Sequence, residues 1–429
     1  MSKFGCGPWR KEQMKEKQVK ESSTKTDKNI LKEILKISEE IHNIADIDIL
    51  LDKILLEVRH FTNAEGGSIF MVEDEKLRMS YTQNDLIFAN NPATRYKYQN
   101  QEIPLDITSI AGATVRHGKI LEFKDVYKMS AGCECHFNKD FDKASGYRTK
   151  SMISVPLKSV RNRVIGVMQI INAKAPGGKV VPFNDQDELF ISYFANDAAT
   201  AIEKAKSTRA MVLRMLKMVE FRDPKETGGH VNRMGAYSVE IYQQWAQKRG
   251  FPDELIRRFK DKLRIASMLH DVGKVAISDQ ILKKPGKLEP EEFDIMKMHT
   301  IFGYRLFQQK ESELDAMAAE IALTHHEKWD GSGYPGNMDD YASCVEVGVD
   351  NGKKESTIPI TGRIAAVADV YDALISKRVY KDAWQEDRVL EYMKQSAGSH
   401  FDPEVVDAFF EIYDIIKAIR EQYAEAGTD

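Results

Sequence analysis

The run His325-His326-Glu327-Lys328-Trp329-Asp330-Gly331-Ser332-Gly333-Tyr334-Pro335 (residues 325–335) decides how the rear half of this chain is read. Two adjacent imidazoles end the apolar stretch Met317 to Leu323, and a turn rich in glycine and proline follows at once. Upstream, His299 lies in a helix predicted to open at Pro290, a residue suited to a first helical turn. Further back, His270-Asp271 closes an amphipathic helix carrying Leu263, Ala266, Met268 and Leu269, with Gly273 as its stop and Lys274 just beyond. Glu226 precedes His230 by four residues, so both share one face if the helix reaches back that far. Downstream, Asp369 sits inside the otherwise apolar helix Ile364 to Leu374, where a carboxylate needs a strong partner to be buried.

A lone histidine in a helix is usually a core or surface residue; five of the chain's ten between His230 and His326 make a pattern. Imidazole and carboxylate donors together suit Fe, Mn, Ni or Zn, and the lack of cysteine among them argues against a structural zinc site. Eight candidates (Glu226, His230, His270, Asp271, His299, His325, His326 and Asp369) are too many for one ion. Two or three ions sharing a bridging carboxylate and a bridging water fit the number better. Clustered divalent ions would lower the pKa of bound water from about 16 to about 7 and offset the charge of a phosphodiester.

The segments Phe221-Arg222-Asp223 through His230, His270-Asp271 with Lys274, His299, residues 325–335 and Ala368-Asp369-Val370-Tyr371-Asp372-Ala373-Leu374 resemble the HD-GYP family over about residues 206–425. That family is a helical branch of the HD phosphohydrolases and hydrolyses cyclic di-GMP. The resemblance implies that His270, Asp271, His299, His325, His326 and Asp369 hold metal, with Asp271 bridging two ions. Glu226 and His230 would serve a third, as in the trinuclear, iron-containing members. Lys274 would hold a phosphate oxygen, Tyr334 would shape the pocket, and Arg378 and Lys381 would contact the dinucleotide. Taken without the family, Arg378 and Lys381 read as a solvated helix terminus. Two or three divalent transition metals are therefore expected, iron first and manganese as the alternative. The chain departs from the family between Gly336 and Ile358, where a longer polar stretch stands. Three roles are open to it: narrowing the pocket, changing which dinucleotide enters, or hanging in solvent.

Ahead of this region the pattern differs. Asn29 to Ala45 and Ile49 to Phe61 have helical spacing, and Gly67 to Val72, Leu77 to Thr82, Ser151 to Leu157 and Val164 to Asn172 read as strands. Between the second and third strands runs a long polar stretch with a helical piece, Ser109 to His117. The order implies an α+β domain with an antiparallel sheet and a ligand-sized pocket under the loop. Gly146-Tyr147-Arg148-Thr149-Lys150-Ser151 leading into Val155-Pro156-Leu157, then Ile165-Gly166-Val167-Met168-Gln169 and Asn172, resembles a GAF domain over about residues 30–205. Asn172, Lys174, Phe183, Asp187 and Glu188 are similar to the motif of cyclic-nucleotide-binding GAF domains, interrupted by Ala173. An acid-rich helix start after a glycine turn would read the same way. Cys133-Glu134-Cys135-His136 in the long loop reads as ordinary loop, since two cysteines one residue apart cannot complete a tetrahedral site alone. His400, in a turn before a helix, is not taken as a ligand.

From Asp185 to about Phe221 the chain reads as one helix whose stripe of Ile191, Ala195, Ala198, Ile202 and Ala205 suits either a seam between two subunits or one buried face. Joining two domains without a flexible linker favours a stiff signalling helix in a homodimer. The expected organisation is a frayed tail over 1–28, a GAF-like sensory domain over 29–205, a connecting helix over 185–221 and an all-α HD-GYP domain over 206–429. Net charge of −4 with a sequence pI near 6.3 gives no reason to expect a nucleic-acid polymer. Four scattered cysteines, no apolar span and no secretory signal point to the cytoplasm and away from a membrane. The expected activity is hydrolysis of cyclic di-GMP to pGpG, with or without onward cleavage to GMP, gated by the front domain, where an unidentified small ligand could bind. The alternatives are a phosphodiesterase for another cyclic dinucleotide such as cyclic GMP-AMP, or a non-catalytic receptor.

Overall fold

Short runs rich in β-branched and other apolar residues fold here as a sheet whose central strands are buried along most of their length, and the 3.6-residue stripes that flank and follow it fold as helices. The structure, a computed structural model, describes residues 32 and 34–423 except 74, 89–92, 100, 131, 223–227, 310, 339, 345, 348–350 and 377–382. The expected tail over 1–28 lies outside these residues. The chain divides into two compact units, Met1–Asn43 and Ile44–Asp429. In the first, residues 34–42 are helical.

The second unit begins with α1 (Ile47–Phe61), then β1 (Ala64–Glu73), β2 (Lys76–Asn84), α2 (Thr94–Tyr98), β3 (Glu102–Pro104), α3 (Ile110–His117), β4 (Leu121–Phe123), α4 (Asp140–Ser145), β5 (Met152–Lys158), β6 (Val164–Lys174) and β7 (Val180–Val181). The strands form one antiparallel sheet in the order β3-β2-β1-β6-β5-β4, with β7 on β6. This is the α+β front domain expected, and Ser109 caps α3 through its hydroxyl as its residue type suggests. A cavity of about 270 Å³ lies beneath the long loop, walled by Phe70, Met152 and Ile171 of the sheet and by His136, Phe137 and Phe141.

The residues that resemble a cyclic-nucleotide motif do other work. Asn172, buried and at φ 57°, accepts the Lys150 N–H at 2.7 Å and donates to Tyr147 and the Arg148 carbonyl. Asp187 closes a capping box with Asn184, each side chain meeting the other's backbone N–H. Neither residue lines the cavity.

The helix that Asn184 caps, α5 (Asp185–Glu220), runs 36 residues. Ile191, Ala195, Ala198, Ile202 and Ala205 are almost fully buried within the chain, where α5 packs on α1 and β5. The stripe predicted as a subunit seam is therefore a core face, because apolar surface is covered by whatever apolar surface lies nearest. Leu189, Tyr193, Met211, Met218 and Phe221 point outward instead.

The rear portion is helical: α6 (Gly228–Lys248), α7 (Asp253–Met268), α8 (Asp279–Leu282), α9 (Pro290–Lys297), α10 (His299–Leu306), α11 (Glu313–Thr324), α12 (Ile360–Ile375), α13 (Glu386–Gln395), α14 (Pro403–Glu411) and α15 (Tyr413–Gln422). Its core gathers Met234, Tyr237, Ile241, Leu263, Ile364 and Tyr371. Front and rear are clasped by buried charge. Asp261 on α7 accepts the backbone N–H groups of Ala45 and Asp46 at 3.0 and 2.7 Å. Arg264 pairs with Asp46 and Asp48 at the start of α1, and Arg209 of α5 pairs with Asp48 at 2.9 Å. Arg95 reaches Glu240 of α6 at 3.1 Å.

Candidate metal centre

Helix ends and one helix interior deliver the site. α7 stops at Met268, so His270 and Asp271 lie just past the helix, ahead of the 3-10 turn Val272–Ala276. Gly273 is not the left-handed cap its position suggested. A Cβ there would collide with the His299 carbonyl and the backbone of Gly303, so glycine lets this turn press against α10. His299 was expected inside the helix that opens at Pro290, but that helix breaks at Met298 and His299 begins the next. His325 caps α11 and His326 follows it. His230 sits in the first turn of α6, and Asp369 lies within α12.

These side chains meet as two groups, Asp271 with His299, His325 and His326, and His230 with His270 and Asp369. In three of the imidazoles a backbone carbonyl fixes the tautomer. Nδ1 of His270 lies 2.9 Å from the Ser267 carbonyl, that of His299 2.7 Å from Met296, and that of His325 3.0 Å from Ile321. A carbonyl only accepts, so each Nδ1 carries the proton and each Nε2 turns a lone pair inward. His230 is set likewise by Asp372, whose Oδ2 stands 2.8 Å from its Nδ1. Asp372 is held in turn by Arg233 at 2.7 and 2.9 Å.

Acceptor therefore faces acceptor. His299 Nε2 is 3.2 Å from Asp271 Oδ1 and 3.4 Å from His325 Nε2, and His325 Nε2 is 3.6 Å from the same oxygen. Asp271 Oδ1 is buried and takes no hydrogen bond. Its other oxygen lies 3.3 Å from His270 Nε2, while Asp369 Oδ1 lies 4.0 Å from His270 and 3.8 Å from His230. Lone pairs crowded this closely in a dry interior repel one another unless cations sit among them. The donor set, nitrogen and carboxylate oxygen without sulfur, fits divalent metal ions. The two oxygens of Asp271 face the two groups, the arrangement a bridging carboxylate needs.

Electrostatics agree. Burial pushes the Asp271 carboxyl up, but the Lys274 ammonium 2.6 Å away, together with His270 and His299, outweighs it and holds the group well below the usual range. Burial lowers the pKa of His325 and, with its charged neighbours, lowers that of His326 further. Neutral imidazoles beside an ionised carboxylate are the protonation states metal ligation requires.

Tyr334 stands on the rim, its ring 4.8 Å from that of His326 and 6.2 Å from Phe293, and burial raises its phenol, which stays protonated. Glu327 braces the turn behind it. This buried carboxylate accepts the Gly336 N–H at 2.7 Å and the Lys353 N–H at 3.0 Å. The described residues of the extra stretch after Gly336 are tied to the domain rather than hanging in solvent. Tyr341 donates to the Gly336 carbonyl at 2.8 Å, Lys353 reaches Asn337 and Tyr341, and Met338, Tyr341, Cys344 and Val347 pack on the small core around Ile301. A cavity of about 410 Å³ opens beside His270 and Asp271, with Leu213 and Leu216 of α5 forming one wall.

Of the eight side chains expected to hold metal, seven converge; Glu226 lies outside the described residues, as do Arg378 and Lys381. Lys274 and Tyr334 lie at the same place. His400 stays out of the donor set and stacks on Phe401, while its carbonyl accepts the Trp329 N–H. Asp372 and Glu327 were missed. Their signal was present, since Asp372 follows Asp369 by one helical turn and Glu327 follows the histidine pair.

Residues 46–202 match the family described as GAF domain, residues 227–374 match HD domain, and a second HD domain family matches 346–405. Over 219 residues the chain is 39% identical to a 3'3'-cGAMP-specific phosphodiesterase 2 of Vibrio cholerae, covering 51% of this chain and 37% of that one. It is 37% identical over 258 residues to a cyclic di-GMP phosphodiesterase of the same organism, covering 58% and 49%. A cyclic di-GMP phosphodiesterase of Thermotoga maritima is 41% identical over 202 residues, covering 47% and 48%. The chain thus spans about half or less of these relatives. Among the described residues no helix is long and apolar enough to cross a membrane.

Proposed function

We propose that this chain, a GAF domain followed by an HD domain, hydrolyses cyclic di-GMP to pGpG and onward to GMP under control of its front domain. The observation that carries the reading is the convergence of seven donor side chains in two groups, Asp271 with His299, His325 and His326, and His230 with His270 and Asp369. In this reading Asp271, His299, His325 and His326 would hold one ion, and His230, His270 and Asp369 would hold a second. Glu226 completes a third site if three ions bind. Imidazole and carboxylate donors suit several divalent transition metals, and the resemblance to the iron-containing members makes iron the preferred metal and manganese the alternative.

The bound ions supply a water acidified to a pKa of about 7 and positive charge against the phosphodiester. Everything else falls to the chain's own groups. Asp372 and the carbonyls of Ser267, Met296 and Ile321 keep the imidazoles in the tautomer that points Nε2 at the ions. Lys274 sits beside Asp271 with an ammonium that holds a non-bridging phosphate oxygen where charge accumulates. The protonated Tyr334 phenol forms the wall on which the substrate rests. Arg378 and Lys381 hold its far side by analogy with the family.

A second reading has its own support, since a relative 39% identical is named for 3'3'-cGAMP. Iron- or manganese-loaded chain incubated with both dinucleotides, with products separated by chromatography, decides. The expected result is pGpG from cyclic di-GMP, and D271A should lose that turnover entirely. Intact cyclic di-GMP beside cleaved 3'3'-cGAMP transfers the assignment to the second substrate. Binding of either without cleavage by metal-replete chain would leave a receptor.

A further inference from the structure

We propose that Cys133 and Cys135 form a reversible dithiol–disulfide pair beside the front-domain cavity, oxidised by small-molecule disulfides. Their Sγ atoms lie 3.1 Å apart, so closing to a bond of about 2.0 Å needs a movement of about 1 Å. The backbone is pinned on both sides of the pair. The Cys133 N–H donates to Ser130 at 3.0 Å, and the His136 N–H donates to Thr108 at 2.8 Å, next to the bridge between Ser109 and His136. The two sulfurs thus face each other in an anchored loop, and closing the ring costs little chain entropy.

The surroundings divide the labour. Cys135 is buried among Ile110, Ala113, Val126 and Met152, and burial pushes its thiol up to about 12. Cys133 is partly exposed and is the sulfur an incoming disulfide meets first. Its thiolate attacks one sulfur of the small disulfide and releases a first thiolate. The sulfur of Cys135 then attacks that of Cys133, giving up its proton to the departing second thiolate. Two electrons and two protons pass from the pair to the small molecule, which leaves as two thiols. Among the described residues neither cysteine belongs to a group of three or more side chains that could hold a metal ion. The chain runs from Cys135 directly into His136, Phe137 and Asn138, which line the cavity, so the ring changes the geometry of that wall.

Trypsin releases Met129–Lys139 as one peptide holding both cysteines, which makes the test direct. Full-length chain is treated with glutathione disulfide, alkylated, digested and weighed, with a dithiothreitol-reversed sample beside it. The expected peptide is lighter by two hydrogens, unalkylated, and restored by dithiothreitol. The C135S chain should trap one glutathione on Cys133, and the C133S chain should leave Cys135 reduced. Two alkylated cysteines after treatment, a glutathione retained by the wild-type peptide, or a bridge to Cys6 or Cys344 would each overturn the proposal.

Discussion

Replacing Asp372 by asparagine keeps the volume of the side chain and removes the charge that fixes the His230 tautomer. An amide can offer His230 Nδ1 either an oxygen or an N–H, so the imidazole no longer has one enforced orientation. Loss of such a partner typically weakens metal affinity about 10–100-fold. D372N should therefore bind manganese more weakly by that factor in a direct titration of folded chain, and unchanged affinity would deny Asp372 a positioning role. At this scale the sequence was legible wherever one residue type has one use. His270-Asp271 and His325-His326 were found because imidazole beside carboxylate is rare in helical text. Asp372 escaped because a carboxylate one turn from a ligand looks like any helical acid until its partner across the fold, Arg233, is seen. Gly273 was noticed for the wrong reason, since close approach and a left-handed turn both demand glycine and sequence does not distinguish them.

The turn after the histidine pair is an element with its own brace. Glu327 is buried at 2% exposure and uses both oxygens on backbone N–H groups nine and twenty-six residues away. In E327Q one of those N–H groups meets an amide NH₂ instead of an acceptor, at a cost of roughly 1–3 kcal/mol. That cost falls on the turn carrying Tyr334 rather than on the metal ligands. Steady-state kinetics should show a raised KM for the dinucleotide with metal content per chain unchanged. An equal fall in metal content would place Glu327 in the metal centre instead. The added stretch after Gly336 could not be placed from sequence because polar loops look alike whether packed or free. Its Met338, Tyr341, Cys344 and Val347 are the residues that pack on the core around Ile301. The same limit applied to α5, whose apolar stripe announced that it would be covered but not by what.

Across the whole molecule, the front and rear domains meet through buried ion pairs, and their pH response follows from the carboxyl groups involved. Burial raises Glu240, but Lys260 and Arg95 outweigh it and hold its pKa at about 2, against an ordinary 4.5. A carboxyl whose folded pKa is depressed stabilises the fold fully above its unfolded value and loses that contribution as pH falls toward the folded one. The stability difference between wild-type chain and E240Q should therefore be constant above pH about 4.5 and shrink between there and about 2. Denaturant unfolding across that range measures it, and a difference that stays flat into acid would show that the pairs carry no such weight. The division into a sheet domain and a helical domain was readable from periodicity alone. The clasp between them was not, because its members, Asp46, Arg95, Glu240 and Arg264, are ordinary charged residues in sequence and acquire meaning only where the fold pairs them.

Arg264 and His270 are borne on the same short length of backbone, Arg264 gripping the first residues of α1 and His270 facing the metal cluster. Four residues of helix, about 6 Å, lead from Arg264 to the end of α7 at Met268, and His270 follows two residues on. A rod that stiff does not absorb displacement. The grip on the sheet domain and the donor atoms of His270 and Asp271 are thus only a few residues apart on one segment, so a shift of α1 against α7 has a short route to the histidine cluster.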